Sequence, residues 1–367
     1  MRPVIHVVDS LGLGGVQTCL KAMVEHAPGP RRHCVVSLRT TEPHLEIAGG
    51  EVFCAPGGSR FSPRPLLPLL HLARALRNPI IHCYLFRSQV FGFAVARLVP
   101  EAKVIFHEHG RIVGRENEPW WEDLAFRLFL RISHRRVDRF IANTRHTRNR
   151  LEAAGVTGRQ PILVVHNRIL RETSGMASPT QRRAARAAFD LPADAFVFGY
   201  AGRITGTKGW REFVESARFY RNRTDLHWLI AGHGPDDAAL REFIARENLS
   251  QVHCVGFQSA MAGFYQALDV CVVPSHWESH GLTQLEAQAH GLPVIITDVP
   301  GMNETVNRDI DALFFPPRSA PELIVQIERL LADPSLREKL SQAAWGNARN
   351  FTVDRYCAEL ESCYEAL

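Results

Sequence analysis

The sequence predicts an α/β protein with two doubly wound, Rossmann-like domains, each built on a parallel sheet. Three observations support this fold class. The chain has 367 residues, which is long for one hydrophobic core. Short apolar runs alternate with helical patterns, as expected where helices cover both faces of a parallel sheet. The alternation is interrupted once, at residues 168–181, where Ser, Thr, Gly and Pro indicate a linker.

The first half of the chain contains seven predicted strands and five predicted helices. Its first apolar run ends at Asp9 and is too short for a signal peptide, so we interpret it as a buried strand. The strands are expected at residues 4–9, 33–38, 51–55, 80–85, 103–107, 139–142 and 162–166, and the helices at 16–26, 65–77, 88–98, 121–134 and 145–153.

The second half repeats the pattern and ends in helices. These elements predict domains at residues 1–172 and 173–350, and a last helix, 351–367, that crosses back to the first domain. Ligands bind outside the carboxyl ends of the strands in open parallel sheets, so we expect two such domains to face each other across a cleft. The strands are expected at 196–200, 227–231, 252–255, 270–273, 294–297 and 313–315, and the last helices at 321–331, 335–348 and 353–366.

The composition is ordinary for a globular protein, with 46% hydrophobic and 22% charged residues. No apolar stretch approaches the length that crosses a bilayer. The eight cysteines contain no Cys-x-x-Cys pair, and these features predict a cytoplasmic location. Buried, reduced thiols are expected for the cysteines in predicted strands, which are Cys34, Cys54, Cys83, Cys254 and Cys271.

The net charge of +5 is unevenly distributed. Residues 1–172 contain 25 Lys and Arg against 14 Asp and Glu, whereas the remainder contains 18 against 24. Phosphorylated substrates, anionic lipid and nucleic acid are candidate partners of the basic half, and nucleic acid has only charge in its favour. The excess of arginines is concentrated in residues 127–136 and 145–150, and in the first of these segments apolar residues stand among the arginines at helical spacing. We expect an anionic acceptor or membrane surface here, with Trp120 and Trp121 anchoring at the interface or packing on the sheet; a solvated face is the alternative.

Two strand ends of the first half carry residues suited to ligand binding. After the first strand, Gly14 and Gly15 begin a helix where the backbone can approach a ligand closely. Gln17 replaces the third glycine of a dinucleotide fingerprint, so this loop by itself indicates no more than a tight turn. The fifth strand ends in His107 and His109, which suggests proton transfer or a hydrogen bond to a hydroxyl. The nearby sequence offers no evident third ligand for a metal.

The second domain begins with a strand-to-helix loop that carries Arg203 and Lys208. These two cations flank flexible glycines and can converge on a diphosphate as charge develops on a leaving group. Solvated surface cations are the alternative interpretation.

The segment 274–294 is the most informative part of the chain, because a strand, a loop and a helix start follow one another there. Free N–H groups at residues 281–283 can bind phosphate oxygens. Glu278 lies in the loop, and Glu286, one turn into the helix, can accept two hydrogen bonds from vicinal ribose hydroxyls. A favourable interaction with the helix dipole would explain a glutamate at position 286, but it does not explain the other residues of the segment.

Together these motifs resemble those of the retaining glycosyltransferases of family 4, which have the two-domain GT-B fold. The resemblance covers essentially the whole chain and is most specific in the second half. The family's two glutamates separated by seven residues correspond to Glu278 and Glu286. Further matches are Arg203 and Lys208 of the phosphate motif, the glycine turn at 231–235, the Gly-Leu-Pro-Val run at 291–294, and the paired Gly14 and Gly15.

The resemblance implies a role for each residue of the donor site. Arg203 and Lys208 would bind the donor diphosphate, and Glu286 would bind the ribose. Glu278 would contact the transferred sugar near its 3- and 4-hydroxyls. The donor contacts would be completed by Gly14 and Gly15 and by the backbone N–H groups of Gly281, Leu282 and Thr283.

Two histidines complete the implied site. A strand-end histidine would lie near the reacting face of the sugar, and we favour His109 over His107. His280 occupies a loop position that is often aromatic in the family, where it would contact donor or acceptor. The implied catalytic residues are therefore His109, Glu278, Arg203 and Lys208.

The implied reaction is transfer of a hexose-type sugar from a UDP- or GDP-sugar with retention of configuration. The leaving phosphate would assist deprotonation of the acceptor, so no enzyme nucleophile is needed. Residues 1–172 would bind the acceptor and residues 173–350 the nucleotide-sugar. The acceptor would be a glycan or a lipid-linked or phosphorylated molecule, in the synthesis of cell-surface polysaccharide or lipopolysaccharide.

We expect neither a metal nor a cofactor, because two cations already neutralise the diphosphate. Asp309-Ile310-Asp311 has the Asp-x-Asp pattern of metal-dependent transferases, but we interpret it as a turn. The alternatives are a sugar-nucleotide 2-epimerase and a non-catalytic nucleotide-sugar-binding protein. The expected location is the cytoplasm, either free or peripheral at the inner face of the membrane.

Overall fold

The structure is a computed structural model that describes residues 1–12, 14–39, 46–54, 62–110, 120–155, 157–158, 161–168, 170 and 175–367. It divides into two compact units. The N-terminal unit consists of Met1–Arg171 together with Thr352–Leu367, and the C-terminal unit is Glu172–Phe351.

The N-terminal unit is built on a parallel sheet of seven strands in the order β3-β2-β1-β4-β5-β6-β7. Its central strands consist almost entirely of buried residues, which is why they appear in the sequence as short apolar runs. The strands are β1 (Val4–Val8), β2 (His33–Ser37), β3 (Glu51–Cys54), β4 (Ile80–Tyr84), β5 (Lys103–Glu108), β6 (Arg139–Ala142) and β7 (Ile162–Val164).

The two faces of this sheet differ in chemistry. One face carries Ile5, Val7, Cys83 and Phe106 and packs in an apolar cluster against the helices. The opposite face carries histidines and Tyr84 among smaller apolar residues. The helices that connect these strands are α1 (Gly15–His26), α2 (Leu66–Ala75), α3 (Phe86–Leu98), α4 (Trp120–Ser133) and α5 (Arg145–Ala153).

The C-terminal unit is built on a six-stranded parallel sheet in the order β10-β9-β8-β11-β12-β13. Apolar clusters cover both of its faces, because alternate residues of each strand point to opposite sides. The strands are β8 (Phe196–Ala201), β9 (Leu226–Ala231), β10 (Val252–Gly256), β11 (Val270–Val273), β12 (Val294–Thr297) and β13 (Ala312–Phe315).

Local capping signals explain where several C-terminal helices begin. The Ser178 side chain accepts a hydrogen bond from the Gln181 N–H, and Gln181 Oε1 accepts one from the Ser178 N–H, which forms a capping box. Ser319 and Asp333 cap two later helices, each of which has a proline at one of its first two positions. The helices are α6 (Pro179–Ala187), α7 (Trp210–Phe219), α8 (Asp237–Arg246), α9 (Met261–Ala267), α10 (Leu282–Ala289), α11 (Ala320–Ala332) and α12 (Pro334–Ala348).

The last helix, α13 (Val353–Glu365), packs against α1 and belongs to the N-terminal unit. Its buried side chains include Tyr356, Leu360 and Tyr364, so the end of the chain covers the polar face of the first sheet. Among the described residues, no helix combines the length and the apolar character required to cross a membrane.

The predicted strand and helix pattern is confirmed, with shifts at element ends. The predicted linker, 168–181, lies partly outside the described residues, and its end already forms the start of α6. Cys34, Cys83 and Cys271 are buried as predicted, Cys254 is only partly buried, and the prediction is wrong for Cys54. That thiol is exposed because β3 is an edge strand whose four residues are all exposed.

Candidate functional site

The loops that follow β8 and β11 approach each other closely through a glycine. Gly209 has a left-handed backbone with φ of 70°, and a Cβ added to it would lie 1.8 Å from the Pro274 carbonyl oxygen. The His276 N–H donates to the Thr207 carbonyl at 2.9 Å, and His276 Nε2 lies 2.8 Å from Glu212 Oε1. The predicted phosphate loop and the predicted glutamate loop therefore form one surface.

The loop after β9 packs against the same surface. A Cβ on Gly232 would lie 1.8 Å from the Gly202 carbonyl oxygen, and one on Gly234 would lie 2.2 Å from that of Ile204. The Ile204 N–H donates to the His233 carbonyl at 3.2 Å. The predicted glycine turn at 231–235 is thus required by the close approach of two backbones.

Lys208 and Glu278, which the sequence places 70 residues apart, form an ion pair between Nζ and Oε1. Glu278 Oε1 also accepts a hydrogen bond from Ser275 Oγ at 3.1 Å. Both charged side chains are partly exposed, so a ligand can reach them. A ligand with a diphosphate and sugar hydroxyls would give each partner a new contact in place of the other.

Arg203 lies in the same loop as Lys208. Its side chain is exposed, and it forms no ion pair with any residue that the structure describes. The Tyr200 hydroxyl donates to the Arg203 carbonyl at 3.0 Å, which fixes the backbone beneath this side chain. The guanidinium is therefore available to an anionic ligand.

Glu286 is half-buried on α10, and its Oε2 accepts a hydrogen bond from the Tyr265 hydroxyl at 2.7 Å. Burial raises the pKa of Glu286, and the hydrogen bond from Tyr265 opposes that shift. The Tyr265 ring stacks on His290 at 5.0 Å. Tyr265 was not predicted from the sequence, because an aromatic residue in the short helix before β11 has no signal that separates it from a core residue.

The start of α10 is held in place around Gly281, Leu282 and Thr283. Gly281 has a left-handed backbone with φ of 77°, and an added Cβ would lie 2.3 Å from Gln284 Oε1. The Gln284 side chain is fixed by hydrogen bonds to the Met302 carbonyl at 3.0 Å and Thr305 Oγ1 at 2.6 Å. The first N–H groups of a helix have no acceptor within the helix, so this end is suited to anions.

His280 is buried, with 1% of its surface exposed, and its ring meets Phe351 edge to face at 6.4 Å. The structure thus places this histidine inside the C-terminal unit. Its contact with donor or acceptor stays a prediction.

The Asp309-Ile310-Asp311 segment forms a turn, as predicted. Asp309 has a left-handed backbone with φ of 56° and pairs with Arg329 at 3.1 Å. Asp311 is buried and accepts hydrogen bonds from the Asn307 N–H at 2.8 Å and Gln288 Nε2 at 3.2 Å. Nowhere in the described chain do three His, Cys, Asp or Glu side chains group in a way that could hold a metal.

In the N-terminal unit, Gly14 and Gly15 begin α1 as predicted. Gln17 Nε2 donates to the Ser10 carbonyl at 3.0 Å, and a Cβ on Gly14 would lie 2.7 Å from Gln17 Oε1. The glutamine that breaks the dinucleotide fingerprint therefore closes this loop itself.

His109 follows β5 and is buried. Its ring lies 3.9 Å from the His107 ring and 5.4 Å from the Tyr84 ring, measured between centroids. Burial lowers the pKa of His109 to about 3, and a side-chain hydrogen bond with Asn167 opposes that shift. The imidazole is therefore neutral at physiological pH. His107 instead lies within the sheet, with Nδ1 3.1 Å from His82 Nε2.

Comparison with known proteins gives the family. A model described as Glycosyltransferase Family 4 matches residues 13–169, and one described as Glycosyl transferases group 1 matches residues 181–345. The lipopolysaccharide core biosynthesis mannosyltransferase LpsB of Rhizobium meliloti is 32% identical over 247 residues, which cover 64% of this chain and 67% of LpsB. The chain belongs to glycosyltransferase family 4. In this family 4 protein, Glu278, Glu286, Arg203 and Lys208 all lie in the C-terminal unit.

One further sequence relative and one solved structure show how similar this family 4 protein is to known proteins. The D-inositol 3-phosphate glycosyltransferase of Arthrobacter sp. is 33% identical over 199 residues, covering 52% of this chain and 47% of that protein. The chain spans only about half the length of the first curated relatives that it matches, between 39% and 57%. The crystal structure of Anabaena HepE in complex with UDP and glucose aligns over 100% of both chains with a TM-score of 0.87 at 18% identity, which shows the GT-B fold.

Proposed function

We propose that this family 4 enzyme transfers a hexose-type sugar from a UDP- or GDP-sugar, with retention of configuration. Its acceptor is a glycan or a lipid-linked or phosphorylated molecule, in cell-surface polysaccharide or lipopolysaccharide synthesis. The observation that carries the proposal is the Lys208–Glu278 ion pair, because it joins a phosphate-binding cation to a carboxylate suited to sugar hydroxyls.

The donor side follows from the charges of the C-terminal unit. Arg203 and Lys208 would neutralise the diphosphate as negative charge develops on it, so a metal is not required. Glu278 would accept hydrogen bonds from the sugar hydroxyls. Glu286 would accept hydrogen bonds from the ribose hydroxyls, either in place of the hydrogen bond from Tyr265 or in addition to it. Binding of one donor would thus engage all four side chains.

Retention follows from attack on the face of the sugar that the diphosphate leaves. In this mechanism the acceptor oxygen forms a bond to the anomeric carbon as the bond to the phosphate oxygen breaks, and that phosphate takes the acceptor proton. His109 is neutral and can exchange hydrogen bonds with a sugar hydroxyl without adding charge. Relatives support the sugar-nucleotide chemistry, since HepE was crystallised with UDP-glucose and LpsB is named a mannosyltransferase.

A panel of UDP-, GDP- and ADP-sugars tests the donor site by thermal shift, since a ligand that binds only the folded state raises the unfolding temperature. We expect one donor to raise it and Glu286→Ala to abolish most of that rise. Glu338→Ala, on the exposed surface of α12, is the matched control and should behave like wild type. A panel in which no nucleotide-sugar raises the unfolding temperature contradicts the proposal.

Product analysis separates this function from its alternatives. A transferase releases nucleoside diphosphate only in proportion to glycosylated acceptor. Conversion of the donor alone into an epimer would identify a 2-epimerase instead. Donor binding without turnover on any acceptor would identify a non-catalytic nucleotide-sugar-binding protein.

We further propose that the enzyme binds peripherally to an anionic membrane through α4. Trp121, Leu124, Leu128 and Ile132 are exposed to 53%, 56%, 56% and 62%. Their spacing places them on one side of the helix, opposite the buried Phe126. An apolar stripe that points away from the core has the form of an interfacial surface. Trp120 begins α4, but its side chain lies outside the described part of the chain.

Cations accompany this apolar stripe. Arg127 and Arg131 lie one turn apart on α4, Arg135 lies in the turn that follows the helix, and the last two are exposed. Arg127 pairs with Asp123 at 2.7 Å, so two of the three charges are available to lipid phosphates. Long arginine side chains can keep their charge at the headgroups while the apolar residues enter the bilayer.

Flotation with vesicles tests this surface. We expect binding to vesicles that contain phosphatidylglycerol, and little binding to phosphatidylcholine alone. The double variant Leu124→Ser/Leu128→Ser should lose it, whereas Leu67→Ser, at an equally exposed site on α2, should not. Failure to float with phosphatidylglycerol vesicles at low salt would overturn the proposal without affecting the donor site.

A further inference from the structure

A row of buried polar side chains crosses the N-terminal sheet on the face that α1 and α13 cover. We call it the histidine row, and none of its members is exposed by more than 6%. Neighbouring members lie on adjacent strands, except His82 and Tyr84, which share β4, so the row is set by the register of the sheet. It consists of His33 on β2, His6 on β1, His82 and Tyr84 on β4, and His107 on β5.

Hydrogen bonds join the row without a break. His33 Nδ1 lies 2.9 Å from His6 Nε2, and His6 Nδ1 lies 3.0 Å from the Tyr84 hydroxyl. That hydroxyl lies 3.3 Å from His82 Nδ1, and His82 Nε2 lies 3.1 Å from His107 Nδ1. Each neutral imidazole has one N–H and one lone pair, so the direction of one bond fixes the direction of the next.

The first end of the row meets a carboxylate on the terminal helix. Glu361 Oε1 lies 3.6 Å from His33 Nε2, and Glu361 Oε2 accepts a hydrogen bond from Arg31 Nε at 2.7 Å. Among the described residues, neither His33 Nε2 nor Glu361 Oε1 has another hydrogen-bond partner. The carboxylate attracts an N–H on His33 Nε2 and repels a lone pair on the same nitrogen.

The carboxylate therefore sets the proton positions along the first half of the row. With the His33 proton on Nε2, its Nδ1 accepts, and His6 must donate from Nε2. His6 Nδ1 then accepts from the Tyr84 hydroxyl. Both of these histidines carry their proton on Nε2.

The second half of the row then carries its protons on the other ring nitrogen. Because the Tyr84 proton points to His6, the Tyr84 oxygen can only accept at its 3.3 Å contact with His82 Nδ1, so an unbroken row has His82 protonated on Nδ1. The Tyr364 hydroxyl, 2.7 Å from the same nitrogen, then accepts as well, whereas a proton donated by Tyr364 would break the row at His82. His82 Nε2 accepts from His107 Nδ1. His107 Nε2 is left as a lone pair with no hydrogen-bond partner in the described chain.

The reverse orientation is less favourable at its carboxylate end. It would point the lone pair of His33 Nε2 at Glu361 and leave a buried, unpaired N–H on His107. Each orientation leaves one buried His107 group without a partner, so the contact with the carboxylate decides between them.

We propose that Glu361 sets the tautomers of the histidine row and thereby holds His107 as a neutral ring, protonated on Nδ1, against His109. The His107 and His109 rings lie 3.9 Å apart, so the orientation of one limits that of the other. Glu361 and Tyr364 are thus positioning residues that act on His109 from the last helix. The tautomers do not depend on the proposed function; their effect on transfer does, because it requires His109 to act at the sugar.

Nitrogen-15 NMR of the whole protein labelled at histidine tests the tautomers directly. We expect His6 and His33 to be protonated on Nε2, and His82 and His107 on Nδ1. Glu361→Gln should disturb this pattern along the row, because an amide can donate as well as accept. Glu365→Gln, on the exposed end of the same helix, should leave it unchanged. The opposite wild-type pattern, or an unchanged pattern in Glu361→Gln, would overturn the proposal.

Turnover of the donor found by thermal shift tests the link to His109. We expect Glu361→Gln to lower kcat about tenfold with little change in donor KM, because a small displacement of a reacting group affects the chemical step. Glu361→Asp should restore most of the rate, which a merely structural role for this side chain would not predict. A wild-type enzyme that lacks transfer refutes the proposed function alone. An unchanged kcat in Glu361→Gln, with altered tautomers, refutes only the positioning role.

Discussion

The two sheets of this enzyme share a parallel topology but differ in where their polar side chains lie. In the C-terminal unit apolar clusters cover both faces of the sheet, and the candidate site residues stand in the loops after β8 and β11 and on α10. In the N-terminal unit one face carries the histidine row inside the strands. The C-terminal sheet has a shorter counterpart, His227 and His253, whose ring nitrogens lie 3.0 Å apart. A sheet can therefore bury polar groups when neighbouring strands supply their partners in register.

Acid should have the largest effect on the difference between the two units, because it destabilises the N-terminal unit through the histidine row. Burial lowers the pKa of His6, His82 and His107 well below 6.5, and that of His33 to about 4. Below the ordinary histidine pKa the unfolded chain binds protons that the folded rings do not. The stability is therefore fully present above about pH 6.5 and is lost as the pH falls, by about 1.4 kcal/mol per pH unit for each histidine.

Hydrogen exchange followed by mass spectrometry from about pH 7 to about pH 5 checks this, because it reports on each unit separately. Protection should fall more steeply in the N-terminal unit than in the C-terminal unit. His82→Phe should reduce the pH slope, whereas His71→Gln, on the exposed side of α2, should not. Equal slopes in both units would contradict the comparison.

Gly209→Ala should cause the next largest effect, and in the C-terminal unit. The new Cβ would lie 1.8 Å from the Pro274 carbonyl oxygen, at a backbone φ of 70°. We expect a loss of about 2–4 kcal/mol in the free energy of unfolding, together with weaker donor binding. Gly263→Ala is the matched control, since nothing lies within 4 Å of its added Cβ. Denaturant unfolding of both variants measures the difference, and similar stabilities would show that the two loops can separate at little cost.

Tyr265→Phe should have the smallest effect of the three. It removes the hydrogen bond to Glu286, so that carboxylate is less fixed and its pKa rises further. We expect donor binding to weaken by about 1 kcal/mol, or roughly fivefold, in isothermal titration calorimetry. Tyr220→Phe should not change it, because the buried Tyr220 hydroxyl has no partner among the described residues. Unchanged affinity in Tyr265→Phe would mean that Glu286 is positioned by α10 alone.

The sequence predicted the C-terminal site better than the N-terminal one for a physical reason. Glu278, Glu286 and the two cations stand at strand ends and a helix start, where such residue types have few structural roles. The contact between Lys208 and Glu278 could not be predicted, since it depends on how two loops meet around Gly209. Tyr265 was missed because its ring is buried like any core aromatic and only its hydroxyl has a polar role.

The histidine row was missed because no single strand shows it. His6 and His82 each stand alone between apolar neighbours, as an isolated core histidine would. Only the pairing of β1 with β4, and of β4 with β5, places these rings side by side. Strand register across crossover connections is set by packing, which the pattern of one strand does not encode.

The placement of α13 has a consequence for synthesis of the chain. Its residues are translated after the whole C-terminal unit, yet they cover the polar face of the first sheet and carry Glu361 and Tyr364. The C-terminal unit can therefore complete its core earlier than the N-terminal one, although it emerges later from the ribosome. Until the last helix arrives, the histidine row of the nascent N-terminal sheet lacks one of the two helices that cover it, and the sheet depends on the rest of the chain to become a finished domain.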